Sequence, residues 1–232
     1  MRYRADSGVV FFSLILTFLF TLNFSAHAGY PVGDRLRTPP PPNPSSNSEY
    51  RDYRILHDWQ KRRTHAECDS ADLQALFSPE STFGPDTHLM NPREFDIVKP
   101  FFAQLLDTAS DAVTPFKLKY QRMRPYDADR TITPCIHIPG GSTSYPSGHA
   151  AGGRLIAHVF ADLFPARGRA FYNQGQKIGA NRVLGGVHYP SDVKSGNDIG
   201  DQVYDVLQAN PQFRSDFMQV KKQLGWTRRG SE

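Results

Sequence analysis

Apolar residues recur at three- and four-residue steps along most of this chain, and strand-like alternation is scarce, so the pattern predicts an all-α fold. Tyr50 to Ala66 reads as a charged, amphipathic helix. Asn91-Pro92 supplies a cap and a first-turn proline for a second helix running to about Ala112, with Phe95, Val98, Phe102, Leu105 and Leu106 on its apolar face. Pro100 is expected to kink or split it. Ala150 to Phe164 places Leu155, Ile156, Val159, Phe160 and Leu163 on one stripe. Arg167 to Leu184 forms another helix, ended by Gly185-Gly186, and Pro190 or Ser191 opens a further one through Leu207. A last amphipathic piece follows Pro211, with Phe213, Phe217, Val220 and Leu224 buried. Between these lie two segments that cannot pack regularly: 38–48 (TPPPPNPSSNS), read as part of an extended arm, and a long Pro- and Gly-rich loop from Tyr126 to Tyr145.

The first residues follow a different pattern. Arg2 and Arg4 precede an apolar stretch from Val9 to Leu22, and Ala26-His27-Ala28 makes a small-residue cleavage site, so 1–28 reads as a secretory signal. Ser13, Thr17 and Thr21 interrupt the stretch, which makes a retained membrane anchor the weaker reading. The expected organisation is a signal peptide (1–28), a proline-rich arm (29–48), one helical bundle domain (49–226) and a frayed tail (227–232), in a periplasmic or secreted protein with no stable membrane insertion once the signal is removed. Taking Arg2, Arg4 and Asp6 from the 27 basic and 23 acidic residues leaves 25 and 22, an excess too small to argue for nucleic acid. Cys68 and Cys135 are the only cysteines. In an exported chain such a pair is expected to be bridged, the alternative being two buried thiols.

Candidate chemistry is concentrated in three runs: 117–125 (KLKYQRMRP), 146–149 (PSGH) and 181–192 (NRVLGGVHYPSD). Lys117 and Arg124 are seven apart, nearly two helical turns, which would set both cations on one helix face with Arg124 at the helix end before Pro125; Lys119 and Arg122 fall elsewhere. An ammonium beside a planar guanidinium suits a tetrahedral oxyanion, although a solvated basic face has the same pattern. The run PSGH fits a helix N-terminus: Ser147 can offer hydroxyl and backbone donors, and Gly148 lets the main chain approach an anion. His149, in the first turn, is placed to protonate a leaving oxygen. In the third run, Arg182 lies at a helix end and His188 emerges after the glycines with Asp192 four residues on. If Asp192 accepts from Nδ1, the tautomer is fixed and Nε2 becomes a nucleophile; a packed His188 and a helix-capping Asp192 are the plainer alternatives. His137, His149, His158 and His188 show no metal-ligand spacing among so many cations, so no metal is expected.

Together, Lys-x6-Arg-Pro, Pro-Ser-Gly-His and Arg-x5-His-x3-Asp resemble the signature of the type 2 phosphatidic acid phosphatase superfamily, and within it the chain is most similar to secreted bacterial class A non-specific acid phosphatases. It departs from the class's longer signature at Thr143, Ala150 and Asn181. The resemblance implies a helical fold of the acid phosphatase and vanadium haloperoxidase type, no cofactor, and hydrolysis of small phosphomonoesters with broad specificity, the preference among monoesters, nucleotides and diphosphates being left open. It implies that His188 attacks phosphorus, Asp192 orients it and His149 serves the leaving group, while Lys117, Arg124, Ser147, Gly148 and Arg182 hold phosphate oxygens. Two other readings compete: a vanadium haloperoxidase-like enzyme, and an exported phosphate- or nucleotide-binding module without turnover. Oligomeric state is left open, a homo-oligomer included.

Overall fold

A computed structural model of the protein describes residues 29–141 and 143–226; the expected signal peptide, 1–28, and tail, 227–232, lie outside the described residues. Nine α-helices are formed among them: α1 (Asn47–Arg62), α2 (His65–Asp72), α3 (Pro79–Phe83), α4 (Pro92–Tyr120), α5 (Pro125–Ala128), α6 (Gly148–Leu163), α7 (Gly168–Leu184), α8 (Pro190–Ala209) and α9 (Pro211–Gln223). The described residues contain no strand, and their one isolated bridge pairs Met123 with Thr143. None of the described helices is long and apolar enough to cross a membrane.

Helix α6 is the centre of the bundle. Its apolar stripe is widened by Ala150, Ala151, Gly152, Gly153 and Ala157, so the helix is buried on nearly every side, with α4, α7 and α8 packed around it. Small residues set how closely those neighbours approach. A Cβ at Gly175 of α7 would stand 2.6 Å from the Gly153 carbonyl oxygen, and one at Gly196 of α8 would overlap the carbonyl oxygen of Ser147. These contacts seat the first half of α6 between the middle of α7 and the first half of α8. Gly196→Ala should therefore destabilise the fold by about 1–3 kcal/mol, the usual cost of overpacking, and push Ser147 out of place. Urea denaturation checks the first part; an unchanged midpoint would mean the helices can part without cost. Beyond this half of α6, the core is aromatic, with Phe83, Phe102, Phe160 and Phe171 in mutual edge and stacked contact.

Three features differ from the sequence pattern. The first amphipathic run is two helices, because Thr64 and Glu67 form a capping box in which each side chain accepts from the other's backbone N–H, and this starts α2 afresh. Helix α4 runs unbroken through Pro100 and Pro115 to Tyr120. Both prolines are exposed, as are Asp96 and Asp111, whose carbonyls lose their donors, so water can satisfy those groups. The loop expected from Tyr126 begins with the short helix α5. The chain ahead of α1 is packed on the bundle: Tyr30 is buried against Phe213 and Phe101, its hydroxyl 2.8 Å from Asp216 Oδ2, and Thr38 hydrogen-bonds Tyr145 and Ser195.

Cys68 and Cys135 form a disulfide between α2 and the loop after α5. Closing a loop of this length contributes roughly 4 kcal/mol on the chain-entropy account. The Cys135 N–H donates to the Gly185 carbonyl at 3.1 Å, so the bridged loop is also tied to the end of α7.

Candidate active site

The three runs meet at one place in the fold. Helix α4 stops at Gln121, which adopts left-handed backbone angles (φ 45°, ψ 36°) and donates its N–H to the Lys117 carbonyl. Lys117 is thus in the last helical turn, but Arg124 is not on the helix. The expectation that helical periodicity sets them on one face is corrected: Arg122 to Arg124 runs extended, held by the Met123–Thr143 bridge and by the Ser144 N–H bonding to the Arg122 carbonyl at 2.8 Å. The chain reverses after Gln121, and that turn brings Arg124 in. In an extended run alternate residues share a side, so Arg122 and Arg124 both turn inward while Met123 is exposed. Lys117 Nζ donates to the Thr143 carbonyl at 3.3 Å, and Arg124 Nη1 donates to the Val187 carbonyl at 3.0 Å and to His188 Nε2 at 2.8 Å.

Ser147 is the N-cap of α6, its hydroxyl oxygen accepting from the Ala150 N–H at 3.3 Å. Its own N–H, expected from sequence to be a donor to an anion, is committed to the Asp192 carbonyl at 3.0 Å. That leaves the hydroxyl hydrogen of Ser147 and the first-turn N–H groups of Gly148 and His149. At Gly148 a Cβ would meet nothing nearer than Val113 Cγ2 at 3.7 Å, so the protein's own packing does not demand glycine there. His149 is turned toward the segment after α2: its Nε2 donates to the Ala75 carbonyl at 3.0 Å, and its ring meets Phe77 edge-on. Burial, reinforced by Arg182, lowers its pKa to about 3.

Arg182 lies in the last turn of α7, and the Gly185-Gly186 turn, with Gly186 at φ +78°, folds back so that the N–H groups of Val187 and His188 both bond to the Arg182 carbonyl. The same turn that ends the helix thereby delivers His188. Asp192, in the first turn of α8, accepts from His188 Nδ1 at 3.2 Å and from the Tyr189 N–H at 2.9 Å. Since the guanidinium of Arg124 can only donate, Nε2 of His188 must be the acceptor and Nδ1 must carry the hydrogen. Burial and the surrounding cations, Arg124 first, hold His188 neutral, its pKa well below the usual histidine range. Burial also pushes the Asp192 carboxyl up, against the pull of Arg122.

The electrostatics are one-sided. Arg182 is fully buried, and none of its three guanidinium nitrogens has a hydrogen-bond partner among the described residues; the same is true of Arg124 Nε. Burial and then repulsion by Arg124 lower Arg182 to about 10 and Lys117 to about 8. A buried guanidinium with no acceptor is expensive, and an anion bearing several oxygens would satisfy it. Among the described residues no group of three or more His, Cys, Asp or Glu side chains is placed to hold a metal ion. Two participants escaped the sequence reading: Arg122, set aside there although it bonds Asp192, and Ala75, whose carbonyl holds His149 from a segment with no motif. The alternation of Arg122 with Arg124 was the available signal for the first; nothing local marks the second.

The cluster lies at the junction of α4, α6, α7 and α8, within the segment that a known family model matches. Residues 99–201 match the family model of the PAP2 superfamily. It is 28% identical over 171 residues to a non-specific acid phosphatase of Salmonella typhimurium, the match covering 72% of this chain and 66% of that protein, just under two thirds. It is 25% identical over 196 residues to a non-specific acid phosphatase of Providencia stuartii (80% and 78% covered) and 32% over 124 residues to an acid phosphatase of Zymomonas mobilis (51% and 46%). Two solved structures share the fold: a transmembrane PAP2-type phosphatidylglycerolphosphate phosphatase from Bacillus subtilis (TM-score 0.50, 19% identity, 80% of this chain and 91% of that one) and a bacterial vanadium-dependent iodoperoxidase (TM-score 0.52, 15% identity, 72% and 52%).

Proposed function

We propose that the protein is an exported acid phosphatase that hydrolyses small phosphomonoesters through a phosphohistidine on His188. The observation that carries this reading is the set of unpartnered nitrogens of Arg182, buried beside Arg124, Lys117 and the N-terminus of α6, with the electron pair of His188 Nε2 turned to Arg124 among the same cations. The acid phosphatase relatives support the choice of substrate class. Export is supported by the Arg2-to-Ala28 pattern and by the Cys68–Cys135 bridge, which suits an oxidising compartment.

The chemistry follows from the proton positions. Phosphoryl oxygens draw Arg124 off His188 and engage Arg182, Lys117, the Ser147 hydroxyl and the Gly148 N–H. His188 Nε2 then forms the P–N bond as the ester P–O bond breaks, and the positive charge growing on the ring is stabilised through Nδ1–H by Asp192. The departing oxygen takes a proton from His149. Because Nε2 of His149 is committed to Ala75, this transfer runs through Nδ1, and a bound phosphoryl anion raises the ring's low pKa toward the range in which it can carry the proton. In the second half, His149 takes a proton from water as the water oxygen attacks phosphorus, the P–N bond breaks, and inorganic phosphate leaves.

A panel of aryl and alkyl phosphates, nucleotides and diphosphates, assayed across pH with and without chelator, tests the reading. Monoester turnover insensitive to chelator is expected, with kcat/KM declining as pH rises because His149 must gain its proton, and declining more steeply above about pH 8 as Lys117 loses its own in the free protein. Phosphate binding without turnover would favour the binding-module reading, and peroxide-driven halide oxidation in vanadate-loaded protein with no monoester turnover would favour the peroxidase.

A further inference from the structure

We infer that Arg122 is a positioning residue for the nucleophile: it locks Asp192 from behind, and through Asp192 it holds His188 in the tautomer that leaves Nε2 free to attack. The inference rests on the phosphohistidine reading above for its kinetic consequence, though not for its geometry.

Asp192 is fully buried and divides its two oxygens between two jobs. Oδ2 faces His188 Nδ1 and the Tyr189 N–H, while Oδ1 accepts from Arg122 Nη1 at 2.7 Å. Arg122 reaches further. The same Nη1 donates to Ser191 Oγ at 2.7 Å, Nη2 donates to Asp52 Oδ2 at 3.0 Å, and the guanidinium lies 3.7 Å over the ring of Tyr189. Asp52, on α1, also accepts from the Ser191 N–H at 3.1 Å and from its hydroxyl. The result is a chain of charge-assisted hydrogen bonds, Asp52–Arg122–Asp192–His188, that fastens α1, the extended run after α4 and the first turn of α8 to the nucleophile's ring. Arg122 and Asp52 are almost as buried as Asp192, with side chains 9% and 6% exposed.

This cation differs from the others of the site in that its charge is spent: Lys117, Arg124 and Arg182 lie on the His188 side with unmet capacity, whereas Arg122 is matched by two carboxylates. Without it, Asp192 Oδ1 would be a buried carboxylate oxygen lacking its strongest donor, and the carboxyl could turn or take up a proton. Either change removes the fixed acceptor for Nδ1–H. Lysine cannot replace the fork, since one ammonium does not reach Asp192, Ser191 and Asp52 while stacking on Tyr189.

The test combines kinetics with a readout independent of turnover. In Arg122→Gln, kcat for an aryl phosphate should fall at least about 10–100-fold with KM nearly unchanged, within the loss of up to about 10⁴ that follows when an orienting carboxylate no longer fixes a histidine tautomer. Arg122→Lys should recover only part of it. Because Arg122 acts through Asp192, the Arg122→Gln/Asp192→Asn double variant should be no slower than Asp192→Asn alone. Long-range ¹⁵N NMR of histidine-labelled protein should show Nδ1–H on His188 in the unsubstituted chain and a mixture in Arg122→Gln. Asp52→Asn, which loosens Arg122 without removing it, gives the same shift in smaller measure should Arg122→Gln not fold. An unchanged His188 tautomer, or losses that multiply in the double variant, would overturn the inference. An unsubstituted protein without turnover would instead remove the phosphatase reading, and the NMR comparison would still decide the clamp.

Discussion

Replacing His188 by alanine should abolish phosphomonoester turnover, a loss on the order of 10⁴–10⁶ in kcat, as when a nucleophile is removed from other hydrolases that work through covalent intermediates. The same substitution should leave the helical fold in place, because His188 sits in a turn whose shape is set by backbone bonds to the Arg182 carbonyl and by Gly186, and not by the imidazole. Circular dichroism and a urea melt separate the two effects. His188 is also an acceptor for Arg124 Nη1, which keeps its bond to the Val187 carbonyl, so its removal frees one guanidinium N–H for an anion, and phosphate binding should survive or tighten while turnover is lost. Retained turnover in the alanine variant would mean that another atom attacks.

Arg182→Leu should have the opposite effects on stability and function. The guanidinium is buried without a partner among the described residues, held near the Arg124 cation, and pulled well below the usual arginine pKa by that burial. Exchanging a buried charge for an apolar side chain of similar bulk is often stabilising by about 1–4 kcal/mol, and here no hydrogen bond to the described residues is lost. The variant should therefore melt higher than the parent without ligand. It should also lose about 10²–10³ in kcat, the effect of removing one donor aimed at developing charge, and its melting temperature should no longer rise on adding inorganic phosphate. A variant less stable than the parent in phosphate-free buffer would show that Arg182 is satisfied within the protein, and would take away the main argument for an anion in this place.

Much of this arrangement could be read from residue order because its elements carry their own punctuation. The Ser147 cap, the glycine pair after Leu184, and the prolines at 190 and 211 fall where α6, α7, α8 and α9 begin or end, so the placement of Ser147, Arg182, His188 and Asp192 at helix termini followed from local rules. Local rules failed where tertiary surroundings decide. Pro100 does not break α4, since the carbonyl it leaves unpaired faces water, and Arg124 joins Lys117 by a chain reversal that helical periodicity could not foresee. The clamp of Asp52 and Arg122 on Asp192 spans 70 residues in sequence on either side, and the Ala75 carbonyl that fixes His149 lies 74 residues from it. Contacts of that range leave no trace in a pattern of neighbours. They are also the contacts that decide which nitrogen of each histidine is free, and so what each can do.

The reading turns on a covalent bond to one atom. Brief exposure to a monoester, quenching in alkali where a phosphohistidine persists, and peptide mass spectrometry should find one phosphoryl group on the peptide containing His188, chased off by further incubation without substrate. Hydrolysis that proceeds at full rate with no phosphoryl group on His188 would contradict it.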